Sequence, residues 1–255
     1  MRAVTDPLAY RDFYYPLNVF MHILTHEEGG VDYLHYGLFE SAGESIAAAQ
    51  ERSTELLLAR LPPPPARVLE VGVGLATTLQ RLTQLRYDAV GITPDEKQIA
   101  AIRGRYGEEV RVACERFESF AGDGRYDVVV LQESSQYIEA GALFAKAAEL
   151  TSRLIVLDEF ALRPVAHEGA LHSLDRFLQA ASDHGFALAE DLDLSARAAP
   201  TIDYFLQRIP RYRELLMRDI GLTAEQVDGL VTSGEAYRDF YRRGVYGYRL
   251  LQFAR

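Results

Sequence analysis

Between residues 66 and 199, short apolar runs bounded by polar or glycine-bearing turns alternate with longer stretches whose apolar residues recur at helical spacing. The short runs predict strands at 67–71, 88–92, 110–113, 127–131, 154–157 and 186–191. Helical spacing predicts helices at 77–85, 95–105 and 140–150, and Leu171, Leu174, Phe177, Leu178 and Ala181 form one apolar face of another. Thr93, Pro94 and Glu96 have the types expected of a cap, a first helical position and a capping box. A late run at 246–253 reads as a seventh strand, reached after a helical insertion over 201–243. Strands and helices in alternation build βαβ units. The expected class is therefore α/β, a seven-stranded, mostly parallel sheet with helices on both faces and a helical cap.

The proline run 62–65 is stiff and separates the first sixty residues from the rest. The expected division is an N-terminal helical cap segment 1–61, a core 66–199, a cap insertion 200–243 and a final core strand 244–255.

Composition narrows the function classes. Of 255 residues, 48% are apolar and 25% charged, the balance of a globular chain with a sizeable core. A net charge of −10 repels phosphate backbones and anionic lipid, so neither nucleic acid nor a membrane is an expected partner. The basic clusters at 208–213 and 242–243 read as solvated helix faces. A single cysteine, Cys114, excludes an internal disulfide and a multi-thiolate metal site, and is expected to be core packing. The apolar stretch 16–24 is broken by Asn18 and His22, so nothing marks export and a cytoplasmic location is expected.

The chemistry starts at Glu70-Val71-Gly72-Val73-Gly74, directly after a strand and before a helix. Two glycines there let the backbone turn sharply and approach a ligand closely. A glycine turn alone also suits a pyrophosphate, or no ligand at all. Glu70 discriminates, because a carboxylate suits an amine such as a methionyl ammonium.

On these residues the sequence resembles the Rossmann-like S-adenosylmethionine-dependent methyltransferases, whose first motif is Glu/Asp-x-Gly-x-Gly followed by a helix. Within them it is similar to the branch containing cyclopropane-fatty-acid synthases and methyltransferases of sterols, tocopherols and prenyl diphosphates. The resemblance implies S-adenosyl-L-methionine as cofactor, with Glu70, Gly72 and Gly74 holding it. Gly91-Ile92-Thr93 followed by Gln98 matches that branch, which implies that Thr93 and Gln98 contact the ribose; helix capping is the alternative for Thr93. The segment 113–117 lies where relatives hold adenine, making Glu115 and Phe117 candidates, with core packing as the other meaning of a phenylalanine there.

Gln132-Glu133-Ser134 ends a central strand, where open α/β sheets bind ligands. The resemblance makes Glu133 the leading catalytic candidate and Gln132 a cofactor contact, and Tyr137 stands where relatives often have histidine. A polar strand end bonded to nearby amides is the alternative for Glu133. The stretch 34–40 is similar to a segment that closes over the cofactor, implying that His35 and Tyr36 contact it. An aromatic face beside a sulfonium is worth about 1–2 kcal/mol when desolvated, and Tyr36 is the candidate for it. Tyr36 and Asp158 occupy positions where cyclopropane synthases carry a cysteine and a histidine, so lipid cyclopropanation is not expected.

His22 and His26, four apart with Glu27 adjacent, have a spacing that can chelate a metal; so can Asp158, Glu159 and His167. Locally satisfied side chains are commoner, and no metal is expected. Tyr204, Tyr212, Tyr237 and Tyr241 fall in the expected cover, and Tyr14 and Tyr15 in the N-terminal cap, which suits an apolar or aromatic metabolite. The expected function is methyl transfer to a small-molecule substrate. The rivals are a cofactor-binding protein without catalysis and a nicotinamide-dependent oxidoreductase, for which no Tyr-x-x-x-Lys pair follows the fifth strand. Oligomeric state is not legible from the sequence.

Overall fold

A computed structural model describes residues 8–122, 124–165 and 171–255. In chain order the elements are α1 (Leu17–Glu28), α2 (Ile46–Leu58), β1 (Arg67–Val71), α3 (Thr77–Gln84), β2 (Asp88–Thr93), α4 (Glu96–Tyr106), β3 (Val112–Cys114), β4 (Val128–Gln132), α5 (Ala140–Leu150) and β5 (Arg153–Ala161). They continue with α6 (Leu174–Asp183), β6 (Ala187–Asp193), α7 (Ser195–Ala198), α8 (Pro200–Arg211), α9 (Arg213–Leu215), a π-helical turn (Leu216–Ile220), α10 (Ala224–Arg242) and β7 (Tyr246–Ala254).

The chain forms two compact units, one of residues up to Ser53 with Ala196–Arg243, the other of Thr54–Ser195 with Gly244–Arg255. The division falls inside α2 rather than at the prolines. The segment after α2 is tied to the sheet: Arg60 forms a two-point ion pair with Glu190 at 2.7 and 2.8 Å, and Arg153 donates to the Arg60 carbonyl at 2.6 Å.

The second unit holds a seven-stranded sheet in the order β3-β2-β1-β4-β5-β7-β6. Neighbours from β3 through β5 are parallel, and β7 runs antiparallel between β5 and β6. All of β4 is buried, as expected of a central strand covered by helices on both faces. On one face α5 and α6 pack over a cluster of Phe144, Phe160, Phe177, Phe186 and Phe253, with ring centroids 4.9 to 5.8 Å apart for Phe144 against Phe177 and Phe186. Such offset and edge contacts add to the area buried.

Local differences from the expected elements have local causes. β5 extends to Ala161 because β7 pairs with it along its whole length. α4 is capped by Asp95, not Thr93: the Asp95 carboxylate accepts from the Lys97 and Gln98 amides at 2.8 and 3.4 Å. Cys114 is exposed, contrary to the core role expected of it, because it ends a three-residue strand at the sheet edge.

The first unit is helical. Val19 and Ile23 of α1 pack with Ile209, Leu216, Leu222 and Val227. α10 opens with a capping box in which Thr223 and Gln226 each satisfy the other's backbone amide. The expected cover tyrosines make contacts within this unit: Tyr204 donates to Glu28 at 3.0 Å and Tyr212 to Glu27 at 2.8 Å, while the Tyr237 and Tyr241 rings meet at a tilt with centroids 5.9 Å apart. Tyr14 and Tyr15 are each 47% exposed. Among the described residues no helix is long and apolar enough to cross a membrane.

Candidate functional site

In the second unit the chain leaves β1 for β2 and β3 on one side and returns to β4 on the other. That reversal opens a crevice beyond the carboxyl ends of β1 and β4. Glu70, next to last in β1, lies in register with Gly91 of β2 and Val130 of β4. It is buried, and its Oε2 has no hydrogen-bond partner among the described residues. Burial pushes the carboxyl up to about 8. An unpartnered carboxyl oxygen in a low-dielectric site is costly, and a cationic or hydrogen-donating ligand removes that cost. The Nε2 of Gln132, at the end of β4, is likewise buried without a partner among the described residues.

The bend after β1 admits no side chain at its first glycine. Gly72 has φ of 77°, and a Cβ there would stand 2.3 Å from the Cβ of Ser134. Ser134 in turn donates to the Val71 carbonyl at 2.6 Å, so the ends of β1 and β4 are drawn together through it. Gly74 follows, also left-handed at φ of 55°. Gly91 permits the same closeness from the other side: a Cβ there would lie 2.4 Å from Val73 and 2.7 Å from Leu79. Gly72→Ala combines a left-handed alanine with overpacking and is expected to cost about 2–4 kcal/mol of stability, read from urea denaturation.

Thr93 and Gln98 are brought together: the Thr93 hydroxyl donates to Gln98 Oε1 at 2.7 Å, and both are buried. Glu133, the first residue beyond β4, is a non-glycine in the left-handed region at φ of 55°, a conformation costing about 1–3 kcal/mol and concentrated at functional sites. Its amide donates to Leu157 and its Oε1 accepts from the Tyr248 hydroxyl at 2.6 Å. Behind it, Asp158 accepts from the Ser135 amide and hydroxyl at 2.9 and 2.6 Å and from the Glu159 amide at 2.8 Å, pinning the turn after β4. Burial raises the Asp158 carboxyl in spite of these donors.

Tyr137 is 70% exposed on a 3-10 turn, Glu115 is exposed, and Phe117 is buried in the core cluster with Leu69, Val71 and Ile92. His35 and Tyr36 belong to the first unit, where the Gln50 side chain donates to the His35 carbonyl at 2.6 Å and burial lowers the His35 imidazole to about 4. His167 lies outside the described residues. Tyr248 carries no motif signal in the sequence. It reads there only as one residue of a strand, 115 positions from its partner.

No protein-family model and no curated protein matches the sequence. Solved structures do match the fold. A cyclopropane synthase from Mycobacterium tuberculosis is 17% identical, with a TM-score of 0.76 over 87% of this chain and 89% of its own. A geranyl diphosphate C-methyltransferase from Streptomyces coelicolor, solved with Mg²⁺, geranyl diphosphate and S-adenosyl-L-homocysteine, is 16% identical, with a TM-score of 0.67 over 87% and 90%. A 4+2 cyclase is 20% identical, with a TM-score of 0.76 over 91% of each chain. The strand order, the glycine bend after β1 and these likenesses lead to one statement: the chain has the α/β fold of the S-adenosylmethionine-dependent methyltransferases.

Proposed function

We propose that this protein is an S-adenosylmethionine-dependent methyltransferase acting on a small metabolite. The observation that carries the reading is the buried Oε2 of Glu70, without a hydrogen-bond partner among the described residues, beside the Gly72 bend at the point where the sheet reverses its order. That oxygen fits an ammonium group, and the amino-acid end of S-adenosylmethionine supplies one. A nicotinamide dinucleotide would set a pyrophosphate at this bend, and a carboxyl group there opposes it.

Within the second unit, Glu70, Gly72 and Gly74 would hold the amino-acid end, and Thr93 with Gln98 the ribose. Gln132 offers its buried amide nitrogen from the end of β4. When bound, the cofactor supplies an electrophilic methyl group on a sulfonium. Glu133 then provides a fixed carboxylate at the carboxyl end of β4, suited to taking a proton from an oxygen or nitrogen acceptor or to offsetting positive charge at a carbon one. Tyr248 orients that carboxylate through its hydroxyl. Tyr248→Phe is expected to lower kcat about tenfold while the Kd for S-adenosylmethionine stays unchanged, a split that a general loss of folding would not give.

The chain's 15 tyrosines and absence of tryptophan favour an apolar or aromatic acceptor from natural-product biosynthesis. A second reading is cofactor binding without methyl transfer, favoured by one structure of similar fold that is named a cyclase rather than a methyltransferase. Incubation with S-adenosylmethionine and a library of small aromatic and isoprenoid compounds separates the two. Substrate-dependent appearance of S-adenosylhomocysteine supports transfer; tight cofactor binding with no such product across the library supports the second reading.

A further inference from the structure

Three potential metal ligands converge in the first unit. His22 and His26 are one helical turn apart on α1, so their rings share a face, with centroids 4.6 Å apart. Asp219 meets them from the π-helical turn, a local irregularity frequent at functional sites. One ligand atom from each of the three lies within 4.8 Å of the other two, and His22 Nε2 is 3.6 Å from Asp219 Oδ2. Three atoms so spaced have a common point within about 2.8 Å of each, and small rotamer shifts bring that to the roughly 2.0–2.2 Å of zinc–imidazole and zinc–carboxylate bonds.

The geometry points to a divalent transition-metal site formed by His22, His26 and Asp219, with Zn²⁺ as the ion its donors suit best. Two imidazoles and one carboxylate select Zn²⁺, Co²⁺ or Ni²⁺ over Mg²⁺ and Ca²⁺, which take oxygen ligands. Three protein ligands leave a tetrahedral ion one position for water. His22 is 1% exposed and Asp219 14%, so the ion would be shielded on the protein side, while exposed His26 gives it an entry. Asp219 also binds Arg218 at 2.6 Å through Oδ1 and 3.0 Å through Oδ2. Arg218 is 69% exposed and can yield the Oδ2 contact to a metal while keeping the other. The bound ion would fasten α1 to the π-helical turn, a link the helical spacing of the two histidines alone does not reveal.

The test uses the full chain without an affinity tag, stripped of metal and titrated with Zn²⁺ and with Co²⁺. One equivalent of Zn²⁺ is expected to bind and raise Tm, and Co²⁺ to give a visible absorption band. His26→Ala, at an exposed position, and Asp219→Asn are each expected to weaken Zn²⁺ binding at least tenfold and abolish the Tm shift, while His184→Ala changes neither. Absence of binding, binding that survives both substitutions, or equal competition by Mg²⁺ would overturn the assignment. None of these outcomes depends on methyl transfer.

Discussion

Glu70→Gln is expected to weaken binding of S-adenosylmethionine by between about ten- and hundredfold, the worth of a hydrogen bond to a charged group in a buried site. The fold should hardly notice. With its carboxyl pushed up to about 8, Glu70 in the ligand-free protein is protonated at neutral pH, and glutamine has nearly the shape of the neutral acid. The pH dependence separates the two effects. The raised carboxyl contributes stability that is fully present below its ordinary value of 4.5 and is lost as pH rises through about 8, so the ligand-free protein should grow less stable across that window and Glu70→Gln should not. Cofactor affinity should run the other way. Between pH 5 and 7 the cofactor's amine stays charged, the carboxyl must lose its proton to pair with it, and affinity should rise by about tenfold per pH unit. Titrations at three pH values on both proteins read all of this, and a Glu70→Gln variant that binds like the parent would remove the role assigned to Glu70.

Glu133→Gln is expected to lower kcat by about a hundredfold or more, within the range for loss of a positioned acid or base, while cofactor Kd changes less than about twofold. Glutamine keeps an oxygen to accept from Tyr248, so the buried hydroxyl stays satisfied and the loss reports on charge rather than on folding. The left-handed backbone at this residue is retained by the variant, which keeps the comparison within one conformation. Single-turnover methyl transfer with the identified acceptor measures it. Full activity in Glu133→Gln would return the residue to a purely structural place at the strand end.

The central strands were legible because each is short, apolar and bounded by turns, the form that a parallel sheet covered on both faces imposes on its sequence. β1 runs over Arg67–Val71 and α5 over Ala140–Leu150, matching the expected 67–71 and 140–150. What depended on pairing was less legible. The end of β5 carries Asp158 and Glu159, whose polarity hides a strand that only its partner β7 makes evident. Asp95 displaces Thr93 as the cap of α4 because its carboxylate accepts from the Lys97 and Gln98 amides, while the Thr93 hydroxyl donates to Gln98. Glu70, Gly72 and Gly74 stand in one local motif, whereas the Tyr248 contact with Glu133 and the proposed grouping of Asp219 with His22 and His26 are not local in sequence. Each joins residues more than a hundred positions apart, across β7 for one and α1 for the other.

Calorimetry with S-adenosylmethionine at pH 7, repeated in buffers of different ionisation heat, bears most directly on whether Glu70 receives an ammonium group. The expected result is a single site that releases most of one proton in the parent protein and none in Glu70→Gln. Binding without proton release, or heat from a nicotinamide dinucleotide and none from S-adenosylmethionine, would contradict it.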